Sequence, residues 1–274
     1  MRTVDLLIAI RCHTLADFVV DTLQAAEYYT SSNNVAVVLA VDGLNTTFGK
    51  KMTALFGEDR VFVSTTHWGW GPGLFSLLLQ SIEYFRNRYE FSHFQTIDYD
   101  TLYIAHGADT AVMNKIVSPK IGLLGVHMKR NDHWHAIYAK ERLRFMKTFG
   151  APPPTYLPGE GCQGGCMTLT ASLLYEMRLR KMFEPPYMVA RDFTSIADDH
   201  LLPIFVRMCG LEIVDISEFA SCHWNIPSDP RGIETKGFKL FHPTKLQARN
   251  KNRSTEIEIR NYFRRLRGAP DMLK

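Results

Sequence analysis

Two short apolar runs with one amphipathic helix between them constrain this chain more than anything else in it. Residues 5–10 read DLLIAI and residues 35–41 read VAVVLAV, continuous apolar stretches of the kind found in strands buried on both faces. Between them, residues 15–29 (LADFVVDTLQAAEYY) repeat apolar side chains at helical spacing, with Thr14 ahead as a candidate cap. Strand, helix and strand in that order imply parallel strands joined by a right-handed crossover. The alternation continues with a helix near 46–56, a strand at 61–64 and a strongly apolar helix at 74–85 (LFSLLLQSIEYF). A central strand at 94–97, another at 121–126 and a basic helix at 136–149 follow, then a helix capped by Thr170, one closing at Gly210, and a strand at 211–216, with 221–224 (SCHW) and 241–245 (FHPTK) after it in loop-like contexts. The expectation is an α/β fold: a Rossmann-like mixed sheet, mostly parallel and flanked by helices, in a single domain.

Length and composition agree with that. A chain of 274 residues with 46% hydrophobic and 22% charged content can bury a sizeable core. It contains no apolar run long enough to span a membrane, and its N-terminus enters a core-type strand without the layout of a signal peptide. Five cysteines, an odd number, argue against a disulfide framework and make a reducing cytoplasm the expected location. The net charge is only +4, but nine basic residues against three acidic ones lie from Lys245 onward, a surplus of six that leaves the remainder slightly acidic. Such a segment is either a solvated helix or a contact for anionic lipid or phosphate at a membrane surface. Its aromatics are few, so a stacking platform for nucleic acid is not expected. Ala151-Pro152-Pro153-Pro154 is the best candidate for a linker.

Chemistry-bearing residues fall at the ends of the expected strands. The central strand delivers Asp98 and Asp100 in TIDYDTL, and residues two apart on an extended strand face the same way. Two adjacent anions call for a cation between them, and a hard divalent ion that also holds phosphates is one solution. The other reading is a turn whose carboxylates cap a following helix. Asp42 ends the second strand, so it and Asp98 would share the edge beyond the carboxyl ends of the strands where open α/β sheets bind ligands. HWGWGPG at 67–73, which includes Gly71, precedes a helix and would let a ligand approach the backbone, or is simply a tight loop. GEGCQGG at 159–165 has four glycines in seven residues, Gly164 and Gly165 among them, and can only bring backbone close to something else. Asp198 and Asp199 open a helix, either as partners of its dipole or as a general base. His127, His133 and His135 cluster around a polar loop, as a metal group or as surface.

The order of these parts resembles a nucleotide-sugar-dependent glycosyltransferase of the GT-A fold, from about Asp5 to Lys245. VLAVDG, HWGWGPG, TIDYDTL, GEGCQGGCMTLTASLL, ADDHLL and FHPTK carry the resemblance through their order and spacing. It implies a domain over 1–248, with a nucleotide-binding half at 1–110 and an acceptor half at 111–248, followed by a basic C-terminal helix or tail at 249–274. It further implies Mn²⁺ or Mg²⁺ held by Asp98, Asp100 and His242, with a UDP- or GDP-sugar as donor. Asp42, Asp98, Gly71, Gly164 and Gly165 would bind that donor, and Lys245 would neutralise its diphosphate. Asp199, or Asp198, would take the proton from a hydroxyl of a glycan or lipid-linked acceptor, with inversion of the sugar. The chain departs from the pattern in carrying Asp-Asp where Glu-Asp is usual, and His223 competes with His242 as a ligand. A nucleotidyltransferase would need a glycine-rich basic loop after the first strand, where this chain has Arg11-Cys12-His13-Thr14. A non-catalytic binding protein on the same fold is the other alternative.

Overall fold

The first apolar run lies inside the sheet, with a paired strand on either side of it. A computed structural model describes residues 1–272 apart from 33, 44–45, 130–131, 223–229 and 245–254; the side chains of Trp134 and Cys222 are also outside the description. In chain order the elements are β1 (Arg2–Cys12), α1 (Ala16–Tyr29), β2 (Val35–Val41), α2 (Thr46–Phe56), β3 (Val61–Val63), α3 (Pro72–Arg86) and β4 (Tyr89–Asp98). There follow β5 (Leu102–Tyr103), α4 (Ala108–Asn114), β6 (Ile121–Met128), α5 (Asp132–Phe149), β7 (Gly161–Leu169) and α6 (Ala171–Leu179). After a 3-10 turn at Tyr187–Asp192 come α7 (Asp198–Met208), β8 (Glu212–Asp215), β9 (Ala220–Cys222), α8 (Arg231–Glu234), β10 (Leu240–His242) and α9 (Glu256–Leu266).

Seven strands form the main sheet in the order β3-β2-β1-β4-β7-β6-β8. β3, β2, β1 and β4 pair in parallel, β7 runs antiparallel to both β4 and β6, and β8 is parallel to β6. β7 alone is reversed, so its first residues meet the last residues of the others at one rim. A three-stranded sheet, β5-β10-β9, sits apart from it.

Alternate residues of β1 feed two apolar layers, as expected for a strand covered on both faces. Leu7 and Ala9 join Phe75, Leu78, Ile82, Phe145, Leu202 and Phe205 from α3, α5 and α7. Leu6, Ile8 and Ile10 join Val19, Leu23, Met52 and Val112 from α1, α2 and α4. A third, smaller cluster packs Ile259 and Phe263 of α9 against Ala25, Leu102 and Phe241. Among the described residues no helix is long and apolar enough to cross a membrane.

Four local expectations change. α1 starts at Ala16, and the Leu15 carbonyl takes the Phe18 and Val19 N–H groups; Leu15 turns left-handed there, and no side chain caps the helix. Residues around Ser221 and His242, expected in loops, form β9 and β10, strands of three residues that show no readable periodicity. The proline run joins α5 to β7, which pairs with β4 and β6 in the main sheet. The basic C-terminal segment is not simply a solvated face: Arg260, Arg264 and Arg267 all pair with the buried Asp21 of α1.

Candidate active site

The carboxylates of Asp98 and Asp100 meet the imidazole of His242 at the rim. β4 ends at Asp98 and the chain turns through Tyr99 and Asp100, so the strand does not continue through both residues. They converge for another reason. β5, directly after the turn, pairs antiparallel with β10, Leu240 opposite Tyr103 and Phe241 opposite Leu102, and this carries His242 back to the turn. Nε2 of His242 lies 3.5 Å from Asp100 Oδ1 and 3.8 Å from Asp98 Oδ2, and the three donor atoms lie within 4.8 Å of one another. A single divalent ion spans such a set at ligand distances of about 2.0–2.6 Å.

Glycines of β7 let the parts close up. Ile97 is paired with Cys166, which puts Gly165 beside Asp98. Gly165 has φ of 96°, and a Cβ there would stand 2.5 Å from the His242 ring. The Thr101 hydroxyl donates to the Gly165 carbonyl at 2.7 Å, tying β7 to the turn. At Gly161 a Cβ would stand 2.4 Å from the His200 ring. His200 is buried and neutral, its pKa lowered to about 4 by that burial, and its Nδ1–H donates to the Glu160 carbonyl at 2.8 Å. This contact seats the first turn of α7 against β7. Asp199 Oδ2 then lies 3.6 Å from where a Cβ of Gly164 would be.

Arg11, at the end of β1, joins the two acidic groups. Its Nε and Nη2 each lie 2.9 Å from Asp98 Oδ1, and Nη1 donates to Asp198 Oδ2. Asp98 Oδ2 is left facing His242. Burial opposes the charge on Arg11, but Asp98, then Asp198 and Asp199, outweigh it and its pKa is raised. Asp199 behaves oppositely: burial first, and the neighbouring Asp198 charge next, push its carboxyl well above the usual carboxylate range.

A cavity of about 290 Å³ opens beside these residues, and Arg11, His13, Asp42, Trp70, Asp98 and Asp100 are among those that line it. Asp42 is buried and braces the glycine loop: it accepts from the Trp68 N–H at 2.8 Å and the Gly69 N–H at 2.9 Å, and His67 Nδ1 lies 2.9 Å away. Arg191 stacks over the Trp68 ring at 4.7 Å and donates to its carbonyl at 3.2 Å. The exposed Trp70 indole is thus presented at the cavity mouth by a braced loop.

Solved structures share this architecture. The WbbM bifunctional glycosyltransferase, in its apo form, aligns with a TM-score of 0.53 at 11% identity, over 97% of this chain and 50% of that one. The present chain therefore spans half of that protein's length. The galactosyltransferase LgtC, solved with donor and acceptor sugar analogs, aligns with a TM-score of 0.51 at 10% identity, over 98% of this chain and 97% of that one. The fold is that of the GT-A glycosyltransferases. No protein-family profile matches the sequence, and no curated protein matches it.

On this GT-A fold the residues singled out in the sequence divide as follows. Asp98, Asp100, His242, Gly165, Gly164, Asp198 and Asp199 come together at the rim. Asp42 reaches the same cavity from β2, already engaged with the glycine loop. Gly71, with φ of 75°, is the N-cap of α3, and Gly69 is the loop glycine that lines the cavity. Lys245 and His223 lie outside the described residues. Among the described residues, Asp98, Asp100 and His242 make up the metal-competent group found, and the 127–135 histidines do not. His127 instead joins Arg207 on Glu160, which accepts from Arg207 Nη2 at 2.7 Å. Sequence reasoning missed Arg11 as a site residue. The available signal was its place right after a buried apolar run, at the end of a strand where ligands bind.

Proposed function

We propose that this chain is a metal-dependent glycosyltransferase that moves a sugar from a UDP- or GDP-sugar to a hydroxyl of a glycan or lipid-linked acceptor. The observation that carries the reading is the meeting of Asp98, Asp100 and His242 beside a cavity at the carboxyl rim of the sheet. The likeness in fold to a galactosyltransferase solved with donor and acceptor analogs supports it.

The donor set fits the ion that such a reaction uses. Two hard carboxylate oxygens suit Mg²⁺ or Mn²⁺, and the imidazole tilts the balance towards Mn²⁺. Asp98 through Oδ2, Asp100 and His242 would hold it, leaving positions for phosphate oxygens. When bound, such an ion supplies positive charge opposite the leaving diphosphate. Arg11 keeps Asp98 Oδ1 occupied and so fixes which oxygen faces the site. In this reading Lys245 neutralises the diphosphate, while Asp42, Gly71, Gly164 and Gly165 shape the donor subsite. Asp199 is the better candidate base, because the Asp198 carboxylate is held by Arg11. Direct displacement with inversion follows from a base on the acceptor side. The working location is the cytoplasm, with any membrane contact left to the basic C-terminal segment.

Melting curves with and without Mn²⁺ plus UDP or GDP test the metal assignment. The pair is expected to raise the Tm, and Asp100→Asn to abolish the rise; an unchanged rise in that variant removes the assignment. A panel of nucleotide sugars is then screened for slow hydrolysis, expected to disappear in Asp98→Asn. A retained thermal shift with no turnover on any donor would make the chain a binding protein. NMR of the product anomer decides between inversion and retention.

A further inference from the structure

We propose that Arg260 of α9, remote from the cavity lining, is a positioning residue for the turn that carries Asp98 and Asp100. The inference rests on the metal reading of that turn and adds a residue to it.

Every backbone carbonyl of the turn is held. The Asp98 carbonyl accepts from the Thr101 N–H at 2.9 Å, and the Asp100 carbonyl accepts from the Thr244 N–H at 2.8 Å. The Tyr99 carbonyl, between them, accepts from Arg260 Nη2 at 2.8 Å and from the Thr22 hydroxyl. Fixing that carbonyl fixes the peptide plane between Tyr99 and Asp100, and with it the direction in which the Asp100 side chain leaves the chain.

The same guanidinium reaches the histidine side. Nη2 also donates to the Thr244 hydroxyl at 3.2 Å, and that hydroxyl donates to Glu256 Oε1 at 2.8 Å. Glu256 in turn accepts from Arg260 Nε at 3.0 Å. Thr244 stands two residues after His242, so one fully buried side chain sets the carboxylate turn and the imidazole in register.

Docking of α9 alone does not require this arrangement. Asp21 already accepts from Arg264 Nη1 at 2.7 Å and pairs with Arg267, and Ile259 and Phe263 pack into the third apolar cluster. Arg260 spends only Nη1 on Asp21 and Thr22, at 2.9 and 3.1 Å, and sends the rest of its fork to Tyr99, Thr244 and Glu256. A lysine, with one compact ammonium, cannot occupy all these acceptors at once.

The test is a Mn²⁺ titration of the full chain, followed by the electron paramagnetic resonance signal of free Mn²⁺, with folding checked by circular dichroism. Arg260→Lys and Thr244→Val are expected to weaken Mn²⁺ binding by about tenfold or more, the usual effect of losing an outer-shell partner. Arg264→Gln, which loosens α9 without touching the turn, is expected to lower the Tm and keep wild-type Mn²⁺ affinity. Wild-type affinity in folded Arg260→Lys overturns the proposal; should that variant fail to fold, wild-type affinity in Thr244→Val overturns it. An equal loss in Arg264→Gln would also overturn it, because helix docking would then be the cause. Failure of the wild-type chain itself to bind Mn²⁺ would instead sink the metal reading, and this inference with it.

Discussion

Gly165 is where β7 comes up against the metal-competent group. An alanine there needs a left-handed backbone and puts its methyl carbon 2.5 Å from the His242 ring. The backbone strain alone costs about 1–3 kcal/mol, and the ring must move as well. Gly165→Ala should therefore lower the Tm and also lose the Mn²⁺-dependent stabilisation, both read from one melting series. Asp199 gives a second residue-level expectation. Its carboxyl is raised on folding from an ordinary value of 3.8 by burial and by Asp198. The native state holds that proton more tightly than the unfolded chain does. The resulting stabilisation is full below the unfolded pKa and declines as pH climbs through the raised one. Asp199→Asn, which imitates the protonated form, should flatten that decline in urea-unfolding midpoints measured across pH; parallel profiles would refute it. Asp98 and Asp100 were legible because they stand in a short motif at an expected strand end, and His242 only through the resemblance carried by FHPTK. Arg11 was not, because its partners Asp98 and Asp198 lie 87 and 187 residues away and no local pattern announces such a pairing.

Among the elements, those with long periodic runs were readable and the short ones were not. β1, β2 and α3 declare themselves by apolar runs or helical spacing over five residues or more. β5, β9 and β10 have two or three residues each, too few for alternation to show, yet they deliver His242. Thr170 caps α6 as its sequence suggests, accepting from the Leu173 N–H at 3.3 Å. The start of α9 shows a reciprocal arrangement: Thr255 accepts from the Glu258 N–H at 3.2 Å while the Glu258 carboxylate takes the Thr255 N–H at 2.6 Å. Thr255→Ala should cost about 1 kcal/mol, seen as a lower denaturant midpoint.

For the molecule as a whole, parallel pairing could be foreseen from the strand–helix alternation, but the reversal of β7 could not. Nothing in a nine-residue strand rich in glycine states its direction; the pairing with both β4 and β6 settles it. That reversal places the opening residues of one strand at the closing residues of its neighbours. The rim is accordingly assembled from stretches scattered between Arg11 and His242. No fragment that survives when another part melts would retain the whole constellation. Heat inactivation and loss of helical ellipticity should share one midpoint, and a catalyst still working after an early partial transition would contradict that dependence.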